Sequence, residues 1–163
     1  MLIYATRRRE KGALLKRILV VDDNEILLRA WEKILPRESC VLFATTNPEV
    51  ALEYLEREPV DIIICDIVMP RLDGFDLVRQ LKHMKHEYLP IIVLTTGYVY
   101  DFTKLQLNAG PQDIHVLLKP YNDIHQVGGF IHQLIMEAAP SWPSIPHNKI
   151  DGLDKSKIHL WNL

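Results

Sequence analysis

A chain of 163 residues, 48% hydrophobic and 25% charged, has room for one globular domain with short extensions and none for a second. Its net charge of −2 gives no general attraction to nucleic acid or to an anionic membrane surface. No segment approaches the roughly 20 apolar residues of a membrane span, and the N-terminus lacks the apolar core of a secretory signal, so the cytoplasm is the expected compartment.

Residues 1–15 read as an N-terminal extension. Arg7-Arg8-Arg9 and Lys11 form a basic run without periodicity, better suited to a solvated tail than to a binding segment. Ile18-Leu19-Val20-Val21 is a compact apolar strand that ends on Asp22-Asp23. The first helix carries Ile26, Leu27, Ala30, Ile34 and Leu35 at helical spacing, with Asn24 as its cap and Pro36 as its stop. Val41 to Ala44 is a second strand, and Asn47-Pro48 then sets a cap before a proline at the first helical position. That helix turns Val50, Ala51, Tyr54 and Leu55 inward.

The run Ile62-Ile63-Ile64-Cys65 is unbroken and β-branched, as expected of a strand buried on both faces of a parallel sheet. Asp66 follows where that strand runs out. Pro70 and Asp73-Gly74 mark the next turn, Asp73 caps the following helix, and Phe75, Leu77, Val78 and Leu81 form its apolar face. Ile91 to Leu94 gives a fourth strand ending in Thr95-Thr96-Gly97. Asp101 to Ala109 reads as a weaker helix, broken by Gly110-Pro111.

Val116 to Leu118 is a fifth strand, ending in Lys119-Pro120. Asn122 is the expected cap of a last helix with Ile124, Val127, Ile131, Leu134 and Ile135 inward and Gly128-Gly129 inside it. Residues 140–163, with three prolines, read as a tail that carries no output domain, and Trp142, Ile158, Leu160 and Trp161 suggest that it docks. Cys40 and Cys65 lie in separate strand-like runs, so buried free thiols are expected rather than a disulfide or a zinc site.

Five strands alternating with five helices imply an α/β domain over residues 16–139, a doubly wound parallel sheet covered on both faces. Such a sheet puts all its strand ends on one edge, so Asp22, Asp23, Asp66, Thr95 and Lys119 converge there. Three carboxylates in one place repel, by roughly 3 kcal/mol per pair at about 5 Å and an effective dielectric near 20. Lys119 offsets part of this. A hard divalent cation offsets more, and magnesium is the natural occupant.

These residues resemble the receiver domain of two-component response regulators. The likeness covers about Lys16 to Ala139 and rests on Asp22-Asp23, on Asp66 followed by Met69-Pro70 and Asp73-Gly74, on Thr95, and on Lys119-Pro120. It implies a flavodoxin-like fold with strand order 2-1-3-4-5 and a phosphoryl group accepted onto Asp66 from a phosphohistidine. The donor would be a sensor histidine kinase or a histidine phosphotransfer protein. It further implies that Asp23 and Asp66 bind magnesium directly, Asp22 largely through water, and the Val68 backbone carbonyl completes the protein ligands. Thr95, Lys119 and a cis Lys119–Pro120 peptide would form the conformational switch. The face made by the last two helices and the fifth strand would serve partner binding or dimerisation, with Phe130 either a candidate contact, if exposed, or equally a residue packed by the tail.

Two other classes use related parts. A phosphatase of the haloacid dehalogenase type also forms an aspartyl phosphate, yet it resembles Asp-x-Asp directly after the first strand, whereas this chain has adjacent acids there and its candidate nucleophile on the third strand. A receiver-shaped binding module that never turns over phosphate usually lacks one of the acids or the lysine. The chain also departs from the receiver pattern at Val116, where an aromatic residue is common. Strand alternation sends His115 to the opposite face, so without a bulge signalling is expected through Thr95 and the loop from Thr96 to Asp101.

Overall fold

The computed structural model describes residues 15–84, 89–98 and 114–138 in full, together with the backbone of 4–5 and 158–161. Its strands are β1 (Tyr4–Ala5), β2 (Lys16–Val21), β3 (Cys40–Thr45), β4 (Ile62–Asp66), β5 (Ile91–Thr96), β6 (Ile114–Leu118) and β7 (Ile158–Trp161). Its helices are α1 (Glu25–Ile34), α2 (Pro48–Arg57), α3 (Gly74–His83) and α4 (Ile124–Glu137). The helix expected over Asp101–Ala109, the basic run at Arg7–Arg9 and Trp142 lie outside the described residues.

Strands β2 to β6 are all parallel and lie in the order β3-β2-β4-β5-β6, which is 2-1-3-4-5 when these five alone are counted. Two short strands extend that sheet. β1 pairs antiparallel with β3, and β7 pairs parallel with β6, from Ile114↔Ile158 to Leu117↔Trp161. The docking that the tail's apolar residues suggested is thus strand pairing. Each addition covers a row of backbone N–H and C=O groups that an open edge would expose.

Alternation along the strands divides the core in two. Ile18, Val20, Ile62, Ile64, Val93 and Leu117 pack with α1 and α4, while Leu19, Val21, Ile63, Cys65, Ile92, Leu94 and Val116 pack with α2 and α3. β4 is central and buried throughout, which its unbroken apolar run dictates. Burying each such side chain contributes about 1.5–3 kcal/mol, so the strand that ends in Asp66 is firmly held.

Three packing expectations are corrected. In α1 the buried residues are Leu28 and Trp31, followed by Leu35, whereas Ile26 is 77% exposed. Apolar residues cover more than one side of that helix, so spacing alone does not choose the phase. The cap of α4 is Asp123 rather than Asn122, its carboxylate accepting the His125 N–H at 2.8 Å. Phe130 is buried and meets the His115 ring edge-on, centroids 5.5 Å apart, so it is no surface contact. Gly128 explains half of the glycine pair in α4: a Cβ there would stand 2.7 Å from Ile34 Cγ2, so α1 and α4 approach too closely for a side chain.

Candidate functional site

The carboxyl ends of β2, β4, β5 and β6 deliver Asp22, Asp66, Thr95 and Lys119 to one place. Asp66 is paired in register with Thr95, and the Ile67 N–H donates to the Thr95 carbonyl at 2.9 Å. The Lys119 N–H donates to the Thr96 carbonyl at 2.7 Å, which fixes the root of the lysine beside β5. The peptide between Lys119 and Pro120 is cis, as expected.

Lys119 Nζ lies 2.8 Å from Asp22 Oδ2 and 3.1 Å from Asp66 Oδ2, bridging two acids that start 44 residues apart in sequence. One oxygen from each of Asp22, Asp23 and Asp66 falls within 4.8 Å of the others. Asp22 is buried and Asp23 exposed, so the cluster has a dry side and a wet side. Asp22 also accepts the Asn24 N–H at 2.9 Å. Burial nevertheless raises its carboxyl above the ordinary value, helped by the Asp66 charge and opposed by Lys119 and the Asn24 N–H. One lysine does not neutralise this cluster.

The turn after Asp66 is held closed by local geometry. Asp66 Oδ1 receives only a long contact from the Val68 N–H, at 3.4 Å. Val68 itself is 43% exposed, Met69 is buried in the core, and Arg71 takes a left-handed backbone with φ of 71°. The Gly74 N–H returns to the Ile67 carbonyl at 3.0 Å, and Asp73 caps α3 by accepting the Asp76 N–H at 2.7 Å. A Cβ on Gly74 would meet the Asp66 carbonyl oxygen at 2.5 Å. The Asp73-Gly74 pair therefore lets the start of α3 press against the strand end that carries Asp66.

Thr95 Oγ1 is shut from solvent and completes no hydrogen bond to a described residue. A buried hydroxyl left this way is costly, and Thr95 stands in register with Asp66 of the acid cluster. The structure thus brings together Asp22, Asp23, Asp66, Thr95 and Lys119. It keeps Val116 buried on the α2 and α3 side, with the β5–β6 ladder continuous from Ile92↔Ile114 to Thr96↔Leu118, so no bulge swings His115 toward the site. Tyr98 is 67% exposed at the start of the loop expected to move, while Tyr100 lies outside the described residues.

Sequence reasoning missed Tyr121, whose hydroxyl is also shut from solvent without a partner. Its place directly after Lys119-Pro120 was the available signal. It missed Asp61 too, a buried acid at the opposite end of β4.

Comparison with known proteins agrees with this architecture. The family model described as "Response regulator receiver domain" matches residues 18–126. Response regulator GtcR of Aneurinibacillus migulanus is 35% identical over 120 residues, 73% of this chain and 48% of that protein. An uncharacterized 14.6 kDa protein of Leptolyngbya boryana is 32% identical over 68% of this chain and 83% of its own. The chain spans under half the length of GtcR and of the alkaline phosphatase synthesis transcriptional regulatory protein PhoP of Bacillus subtilis. Among solved structures, a CheY-like receiver domain from Methanospirillum hungatei superposes with a TM-score of 0.64 at 25% identity, covering 77% of this chain and 97% of that one. Matched by the family model over residues 18–126 and by a receiver-domain structure over 77% of its length, this chain belongs to the response regulator receiver domain family.

Proposed function

We propose that this chain is the phosphoacceptor of a two-component system, taking a phosphoryl group from a phosphohistidine onto Asp66 and changing conformation to control a partner. The observation that supports it best is the convergence of three carboxylates, one lysine and a buried, unpartnered threonine hydroxyl at adjoining strand ends. Structural ion pairs satisfy their members; this cluster leaves excess negative charge and an idle donor.

The donor set fits magnesium, a hard cation that takes carboxylate oxygens. Asp22, Asp23, Asp66 and the Val68 carbonyl would hold it, and when bound it supplies positive charge that offsets the acids and an incoming phosphoryl group. The remaining work falls to the chain itself. An Asp66 carboxylate oxygen attacks phosphorus, the P–N bond to histidine breaks, and the imidazole nitrogen keeps the electron pair. Such a transition state needs positioning and charge neutralisation more than a strong base. Lys119 Nζ already sits 3.1 Å from Asp66 and meets the developing charge on the phosphoryl oxygens. Thr95 Oγ1 donates to one of those oxygens. Two charge-assisted contacts of roughly 1.5–3 kcal/mol each approach the 5.5 kcal/mol or so that inverts a 1:99 equilibrium.

The donor would be a sensor histidine kinase or a histidine phosphotransfer protein, met in the cytoplasm. Among the described residues no helix is long and apolar enough to cross a membrane. A target or a second copy would meet the face that includes β6 and α4. The C-terminal strand β7 already lies along β6, so a partner approaching that edge meets this strand first.

The test is titration with acetyl phosphate and magnesium. One phosphoryl group per chain is expected, with none when the metal is chelated; absence of any uptake would favour a binding module that does not turn over phosphate. Lys119→Met should still accept phosphate but lose most of the phosphorylation-linked change in amide exchange. An unchanged exchange response in that variant would remove Lys119 from the switch.

A further inference from the structure

Two hydroxyls, those of Thr95 and Tyr121, are shut from solvent and lack a hydrogen-bond partner among the described residues. Thr95 is the next-to-last residue of β5, while Tyr121 follows the cis Lys119–Pro120 peptide after β6. The Tyr121 ring packs edge-on against Trp31, centroids 5.8 Å apart and planes at 68°, within the core that faces α1 and α4. That packing holds the ring. Neither Thr95 Oγ1 nor Tyr121 Oη reaches solvent or completes a well-formed hydrogen bond.

The two groups nevertheless lie within each other's influence. Burial is the main cause that raises the Tyr121 phenol above its ordinary value; the Thr95 hydroxyl opposes that rise, and the Asp22 and Asp66 carboxylates reinforce it. Geometry puts them on one side of the sheet: alternation gives Thr95 the same face of β5 as Val93, and that is the half of the core against which Tyr121 packs. No other described aromatic hydroxyl competes for this role, since Tyr54 stacks on Phe43 and Tyr98 is exposed.

We infer that Tyr121 is a positioning residue for the Thr95 hydroxyl, completing a chain of hydrogen bonds when a phosphoryl group occupies Asp66. A hydroxyl has one donor and two acceptor sites. Thr95 Oγ1–H donates to the phosphoryl oxygen, and the Tyr121 hydroxyl donates to the Thr95 oxygen. Both orphaned groups then gain partners, and each bond in the chain polarises the next. The side chain at Val116 has no polar atom to contribute, and His115 packs on Phe130 at the opposite face, so Tyr121 takes over the pairing of Thr95 in this molecule. This inference rests on the phosphoacceptor reading and adds a named residue to it.

The experiment uses the full chain with magnesium and beryllium fluoride, which mimics a phosphoryl group on an aspartate. Affinity is measured for the parent, Tyr121→Phe, Thr95→Val and the double variant, and thermal unfolding of each is followed without beryllium fluoride. Tyr121→Phe should bind about five-fold more weakly, the worth of one net hydrogen bond, and should add nothing in the Thr95→Val background. Its resting Tm should hold or rise, because phenylalanine keeps the ring and removes an unsatisfied buried atom. Parental affinity in Tyr121→Phe would overturn the inference. So would an equal loss in both backgrounds, or a lowered resting Tm, which would make the hydroxyl a structural one. If the parent neither binds beryllium fluoride nor takes up phosphate, the phosphoacceptor reading itself fails, a result distinct from variants that match a competent parent.

Discussion

Asp61 and Asp66 stand at opposite ends of the same central strand, both buried and both facing a lysine. Asp61 is 5% exposed with Lys16 Nζ at 3.4 Å; Asp66 is 7% exposed with Lys119 Nζ at 3.1 Å. Their surroundings separate them. Asp61 accepts the Arg17 N–H at 2.6 Å, donates its own N–H to the Arg17 carbonyl at 2.8 Å, and takes the Ile91 N–H on its carbonyl at 2.9 Å. It ties β2, β4 and β5 together with its polar groups occupied. Asp66 shares its lysine with Asp22, lies beside the exposed Asp23, and has only a long backbone contact on its other oxygen. Burial and pairing thus do not by themselves tell the two acids apart. What distinguishes the carboxyl-terminal edge is one cation divided among several carboxylates, next to donors without partners.

The comparison can be broken most forcefully at the amino-terminal edge. Asp61→Ala removes the acceptor of the Arg17 N–H and one partner of Lys16 at a buried place, and should lower unfolding stability by about 3 kcal/mol in a urea titration. A loss below about 1 kcal/mol would show that Asp61 is no staple. The next effect belongs to the carboxyl-terminal edge and comes through the backbone. Gly74→Ala sets a Cβ 2.5 Å from the Asp66 carbonyl oxygen, so the start of α3 must shift, with an expected loss of about 2 kcal/mol. Gly129→Ala is its counterpart away from either edge. A Cβ there meets nothing within 4 Å, and thermal unfolding should show a gain of about 1 kcal/mol.

The smallest effect has the opposite sign to Asp61→Ala and sharpens the contrast. The Asp22 carboxyl is raised above its ordinary value of 3.8, chiefly by burial. The folded state therefore holds that proton more tightly than the unfolded chain, so stability falls as pH rises from about 3.8 through the raised value. Asp22→Asn has no such titration. Without metal its Tm should exceed the parent's at neutral pH, and the advantage should shrink as pH falls through the raised value toward 3.8. A lower Tm at neutral pH would place Asp22 with Asp61, as an acid the fold depends on.

Much of this was legible in the sequence because strands buried on both faces read as plain apolar runs, and the acids that end them are conspicuous. Val21 gives way to Asp22, and Cys65 to Asp66, so the strand ends and the fold class follow together. Asp61 was not legible, since an acid just before a strand resembles any loop residue until the register Ile18↔Ile62 brings Arg17 beside it. The Tyr121 hydroxyl is a similar case. Nothing in the sequence shows that its ring packs edge-on against Trp31, 90 positions away, or that its hydroxyl is shut from solvent. The short edge strands were hidden as well: Tyr4–Ala5 and Ile158–Trp161 are too brief for a periodic signal and are defined by the edges they cover.

The central claim is that the two buried acids of β4 differ in kind, and one mass measurement tests it most directly. Parent, Asp66→Asn and Asp61→Asn are incubated with acetyl phosphate and magnesium, and intact mass is read for each. The account predicts one added phosphoryl group in the parent and in Asp61→Asn, and none in Asp66→Asn. Full modification of Asp66→Asn, or loss of modification confined to a folded Asp61→Asn, would contradict it.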